Sequence, residues 1–137
     1  MEFPEKFKKY GKFKLHSGQK SSIFYDINAM LTDGFYVEYI LNKIPFNSHY
    51  VGIATGGAII ASLISRERNS KFSMVKDGEL KGASPLRNWL LIDDVVTTGA
   101  SLEEALKIIN KNPSEIVVVL DRRPKNENPK VYSIFEI

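Results

Sequence analysis

The sequence contains no cysteine. That excludes a disulfide framework, a thiolate metal site and a cysteine nucleophile. Histidine is nearly absent too: His16 and His49 are far apart and match no metal-ligand spacing. No apolar run approaches the roughly 20 residues that span a bilayer. The opening segment "MEFPEKFKKYGKFKL" has no apolar signal core, so the expected location is cytoplasmic, with no membrane partner. Repeats, low-complexity tracts and linkers are missing as well. The 137 residues are expected to form one domain, 1–137, and with 43% apolar residues they can build a sizeable core. The net charge of +3 suits an anionic small ligand and is too small to suggest nucleic acid.

The patterning predicts an alternation of strands and helices. "PEKFKKYG" is read as a short helix ended by Gly11, its lysines forming a solvated face between aromatic anchors. "KFKL" and "SIFYDI" are read as short strands. "TDGFYVEYILNKIP" is an amphipathic helix capped by Thr32 or Asp33 and stopped by Pro45. "YVGIA" and "KFSMV" are strands on either side of the helix "TGGAIIASLISRERN". Asp77-Gly78 marks a tight hairpin. "NWLLIDD" and "SEIVVVLD" are buried strands around the helix "GASLEEALKIINKN", which Pro113 should end, and "KVYSIFEI" closes the chain as a strand. Continuous apolar strands separated by helices imply βαβ units and a mainly parallel sheet, an α/β fold. Ligands of such sheets bind beyond the carboxyl ends of the strands. Ala54–Gly57, Asp93–Asp94 and Asp121–Arg123 lie there.

The densest chemistry is in "WLLIDDVVTTGAS", residues 89–101. Thr97, Thr98, Gly99, Ala100 and Ser101 form a small-residue loop that opens a helix. Free backbone N–H groups and the helix dipole make such a loop a phosphate cradle. A capped helix start accounts for the same residues, and the Walker pattern is absent. Asp93 and Asp94 add two adjacent carboxylates. Such a pair repels unless hydroxyl donors or a cation sit between. Because strand side chains alternate, the strand is expected to end here so that both acids reach one site.

"LLIDDVVTTGAS" resembles the signature by which type I phosphoribosyltransferases bind 5-phosphoribosyl 1-diphosphate (PRPP). The resemblance implies a central, mostly parallel sheet flanked by helices, with a small hood from the N-terminal segment. It implies that Asp93 and Asp94 hold the ribose hydroxyls, and Mg2+ through water, and that Thr97–Ser101 bind the 5-phosphate. "GIATGGAIIAS" resembles the family's pyrophosphate loop, which assigns the diphosphate to Thr55, Gly56 and Gly57. "GKFKLHSGQKSSIFYDI" resembles the N-terminal segment of the orotate branch, with Phe24 and Tyr25 against the orotate ring. His16 stands where that branch often has lysine. "VVVLDRRP" resembles its Leu-Asp-Arg segment, giving Arg122 to the base; a surface arginine paired to Asp121 is the alternative.

The orotate branch carries a long basic loop over the diphosphate. Here that region is the short "MVKDGELKGAS", where Lys76 and Lys81 are the basic residues and Lys76 is the candidate catalytic one. The resemblance thus implies Mg2+-dependent transfer from PRPP to orotate, giving orotidine 5-phosphate and pyrophosphate, in a homodimer. Two alternatives stay open: a PRPP- or nucleotide-binding protein with little or no catalysis, and transfer to another base.

Overall fold

A computed structural model describes residues 1–15 and 18–137. His16 and Ser17 lie outside the described residues. After a 3-10 turn at Glu5–Phe7 come β1 (Lys8–Lys14), β2 (Lys20–Tyr25), α1 (Ile27–Met30), α2 (Gly34–Lys43) and β3 (His49–Ile53). Then follow α3 (Gly56–Arg68), β4 (Lys71–Lys76), β5 (Glu79–Lys81), β6 (Leu90–Val96), α4 (Ala100–Ile109), β7 (Glu115–Asp121) and β8 (Tyr132–Phe135). The last six strands form one sheet in the order β5-β4-β3-β6-β7-β8. All neighbours in it are parallel except the β4–β5 hairpin. β1 and β2 form a separate antiparallel ribbon, the hood.

Pleat alternation sorts the core into two layers. Tyr50, Leu90, Ile92, Val117 and Val119 face α2, α3 and the base of the hood. Val51, Leu91 and Val118 face the other way, against Leu102, Ala105 and Ile109 of α4. The central strands β3, β6 and β7 therefore bury both faces, as their unbroken apolar runs require.

Local chemistry sets most boundaries. The Asp33 side chain accepts from the Phe35 amide at 3.1 Å and caps α2. α3 and α4 stop at Asn69 and Asn110, both left-handed, so Asn110 ends α4 before Pro113 is reached. Asp77 and Gly78 both have positive φ and close the two-residue β4–β5 turn.

The predicted helix over "PEKFKKYG" is replaced by the 3-10 turn and β1. A lysine-rich helix this short has no apolar stripe to dock and is marginal alone. As a strand it pairs with β2, from Lys8↔Tyr25 to Lys14↔Lys20, with a bulge between Tyr10 and Phe13. Phe7 is buried, which fixes the ribbon on the core.

A buried histidine ties the hairpin region to the sheet. His49 Nε2 lies 2.8 Å from Ser73 Oγ, and that hydroxyl donates to the Ala83 carbonyl. The ring is therefore the neutral Nε2–H tautomer, donating to Ser73. Burial, then the charge of Lys71, holds its pKa below the ordinary 6.5. A folded pKa below the unfolded one means that the unfolded chain takes up the proton first, so stability is lost as pH falls through about 6.5. Thermal melts at pH 7 and pH 5 should show a drop in Tm that is smaller in His49→Gln; equal drops would exclude His49 as the cause.

Candidate functional site

The site lies at the carboxyl edge of the sheet, where β3 and β6 separate. Their pairing runs from Tyr50↔Leu90 to Gly52↔Ile92 and stops. β3 then turns through Ala54 and Thr55 into α3. β6 does not end at the two acids as expected. It continues to Val96, held by β7 through Asp93↔Val118, Val95↔Leu120 and Val96↔Asp121. Alternation along this overhang sends the acids to opposite faces, and each reaches its own cavity. Asp93 joins Val95, Val96, Thr97–Leu102 and Glu104 around a cavity of about 260 Å3. Asp94 joins Leu15, Phe24, Tyr25, Ile27, Asn28, Val95, Thr97 and Arg122 around a second, of about 180 Å3. The two share Val95 and Thr97, so they are neighbouring chambers across one strand end.

The acids differ in environment. Asp93 is 6% exposed, and Asp94 is half-buried. Burial, then the charge of Asp94, pushes the Asp93 carboxyl well above the usual carboxylate range. Asp93 Oδ1 accepts from the Asp94 amide at 2.8 Å, and Asp94 Oδ1 from the Val95 amide at 2.7 Å. The side chains are thus fixed by their own strand. Among the described residues no three His, Asp or Glu side chains could hold a metal. Half-buried Asp94 lines the second chamber, which adjoins the first through Val95 and Thr97, and such a carboxylate fits Mg2+, which keeps waters and takes most other ligands from substrate phosphates.

In the first chamber Gly99, at φ 92, is the N-cap of α4 and turns the chain so that the following amides open into it. The Thr98 hydroxyl accepts from the Ala100 amide at 3.3 Å. Glu104, not singled out from sequence, lines the same chamber, and its carboxylate stands beside Gly78 of the hairpin turn.

Thr55, Gly56 and Gly57 open α3 directly against β6. A Cβ on Gly56 would overlap the Asp94 carboxylate, and one on Gly57 the carbonyl of Ile92. The glycines are there for close approach. Gly56→Ala should displace Asp94 and lower ligand affinity about tenfold or more, since a misplacement of about 1 Å can cost 10²-fold; calorimetry with PRPP checks this. Lys76, exposed at the end of β4, lines a groove with Ala54, Thr55 and Ala58, so it stands beside this loop. Lys81 is on β5 and pairs with Glu79.

In the second chamber Tyr25 is buried, edge-on to Phe3, and Phe24 is 37% exposed and lies against Phe13. The Arg122 guanidinium sits 4.8 Å from the Tyr25 ring centre and donates from Nη2 to Ser21 Oγ at 2.9 Å. Ser21 orients this arginine. Sequence reasoning gave it no role, although it lies within "GKFKLHSGQKSSIFYDI", the segment that resembles the orotate branch. The pairing of Arg122 with Asp121 does not occur. Arg123 takes Asp121 instead, with Nε to Oδ1 at 3.0 Å and Nη2 to Oδ2 at 3.1 Å. Residues 121 and 123 share a face of the strand edge, and 122 points opposite.

A parallel sheet with two acids and a small-residue loop at one strand end is the arrangement of the type I phosphoribosyltransferases. The fold matches orotate phosphoribosyltransferase from Aeropyrum pernix with a TM-score of 0.72, over 85% of this chain and 77% of that one, at 24% identity. It also matches adenine phosphoribosyltransferase from Rhodothermus marinus at 0.68, over 97% and 96%, at 16% identity. These likenesses establish the fold. In sequence, the chain is 30% identical to orotate phosphoribosyltransferase of Pyrococcus abyssi over 83% of its length and 74% of that relative's. It is 30% identical to the Haemophilus influenzae enzyme of that name over 89% and 67%. No family model matches the chain. At this identity and coverage, the chain belongs to the orotate phosphoribosyltransferase family of type I phosphoribosyltransferases.

Proposed function

We propose that the chain transfers the 5-phosphoribosyl group of PRPP to orotate, releasing pyrophosphate and forming orotidine 5-phosphate. The observation that carries this reading is the pair of chambers joined at Val95 and Thr97, with one acid in each. A sugar lying across the β6 edge would put its hydroxyls at Asp93 and Asp94, its 5-phosphate on the amides of Thr97–Ser101 and its anomeric carbon toward the Arg122 chamber. Arg122 would take the orotate carboxylate and ring oxygens by its planar fork, with Phe24 and Tyr25 against the ring. Thr55, Gly56 and Gly57 would receive the diphosphate, with Lys76 as counter-charge. Mg2+ carried on that diphosphate, held through water by Asp93 and Asp94, would supply charge neutralisation as it departs. The orotate ring nitrogen forms the new bond to the anomeric carbon as the bond to diphosphate oxygen breaks.

One observation favours a second reading, ligand binding with little turnover. The β4–β5 connection is only the two-residue turn Asp77-Gly78, and Lys81 is already paired to Glu79. Few cations are at hand for the departing diphosphate, and each missing donor costs on the order of 10²-fold in rate. Both readings require the site itself. Calorimetry with PRPP and Mg2+, and separately with orotidine 5-phosphate, should show that each binds and that one displaces the other; binding of neither would remove both readings.

A further inference from the structure

The second arginine of Asp121-Arg122-Arg123 is not accounted for by base or sugar binding. Its side chain is 3% exposed, although it follows β7 into a surface crossover. Nε and Nη2 grip the Asp121 carboxylate, Nη1 donates to the Asn128 carbonyl at 3.1 Å, and Nη2 donates to the Pro129 carbonyl at 2.8 Å. Nη1 is also the atom that a Cβ on Gly99 would meet first, at 3.3 Å. One planar group therefore spans the end of β7, the β7–β8 crossover and the back of the loop Thr97–Ser101.

A buried ion pair is costly to desolvate and often replaceable by apolar side chains, so stability alone explains it poorly. The crossover has no helix to satisfy its carbonyls, and Arg123 supplies donors to two of them. That fixes the crossover as a floor beneath Gly99, whose left-handed conformation aims the loop amides. The Asp121 carboxylate neutralises the guanidinium, so its effect on a phosphate above the loop is geometric. Arg122 is anchored separately, by its amide donating to the Val96 carbonyl at 2.8 Å and its stack on Tyr25.

We infer that Arg123 is a positioning residue for the phosphate loop, setting affinity on the PRPP side of the site and leaving the orotate side unaffected. This rests on the reading of Thr97–Ser101 as the seat of the PRPP 5-phosphate. Arg123→Lys is the informative variant. It keeps a buried cation for Asp121 but loses the fork that reaches both carbonyls and Gly99. The KM for PRPP should rise about tenfold while the KM for orotate and kcat change less than about twofold, the size expected for a slightly misplaced binding group. Amide exchange at residues 97–101 should speed up about tenfold, with β3 and β6 amides unchanged. Unchanged exchange at 97–101 would overturn the inference, as would equal rises in both KM values or an unaltered KM for PRPP. If the wild-type chain fails to bind PRPP, the ligand reading is at fault, and the exchange measurement still decides whether Arg123 sets the loop.

Discussion

Asp93→Asn combined with Asp94→Asn weakens PRPP binding at least about 100-fold and raises the melting temperature at neutral pH. The two effects come from one cause. Charged hydrogen bonds are worth about 1.5–3 kcal/mol each, and tenfold in affinity is about 1.4 kcal/mol, so removing both charges from a sugar's hydroxyls exceeds two decades. Without ligand, the same charges are a liability. Burial and the neighbouring Asp94 push the Asp93 pKa upward. A carboxyl with a raised folded pKa contributes most below its unfolded pKa and loses that stability as pH rises through the folded value. Asparagine escapes the penalty, and each kcal/mol recovered is worth roughly 3–6 °C in a domain of this size. The gain should vanish near pH 4. Melts at pH 4 and pH 7 with PRPP calorimetry check both halves. A variant that melts lower at pH 7, or binds PRPP normally, contradicts the account.

Arg122→Ala is the second large effect. It should weaken orotate binding about 100-fold and change PRPP affinity by less than about twofold. A bidentate guanidinium–carboxylate contact in a half-buried chamber is worth several kcal/mol at most, and two charged hydrogen bonds of about 1.5 kcal/mol already account for two decades. The arginine is pre-set by its stack on Tyr25 and its bond to Ser21 Oγ, so little ordering cost opposes binding. Arg122→Lys should not restore affinity, because a lysine ammonium cannot form the fork. Equal losses for orotate and PRPP would mean that Arg122 supports the strand end and does not read the base.

Much of this was legible in the residues. Thr32-Asp33 announced the start of α2, though only the structure picks Asp33 as its cap, Asp77-Gly78 announced the hairpin, and "LLIDDVVTTGAS" a strand, two acids and a helix-opening loop. The expectation that the strand ends at Asp93 and Asp94, so that both reach one site, fails: β6 stays paired through them, and alternation parts the two acids. What the residues alone cannot predict is that β6 continues past them. That depends on the β6–β7 pairing running four residues beyond the last β3–β6 pair, from Ile92 to Val96, a tertiary fact. Only the first half of β1 was hidden: "KFKL" was read as a strand, whereas the lysine and aromatic residues before Gly11 suit a short helix or a strand, and pairing with β2 decided between them. Arg122 and Arg123 are alike by residue type, and only the family resemblance singled out Arg122; strand phase gives it to the second chamber and buries Arg123 beneath Gly99.

The most direct test is to mix the protein with Mg2+, PRPP and orotate and follow orotate absorbance. The account predicts a steady fall that requires all components, yields pyrophosphate in equal amount, and disappears in the Asp93→Asn, Asp94→Asn variant. No fall in absorbance, with PRPP and orotidine 5-phosphate both bound, would contradict transfer and leave a binding protein with the same site.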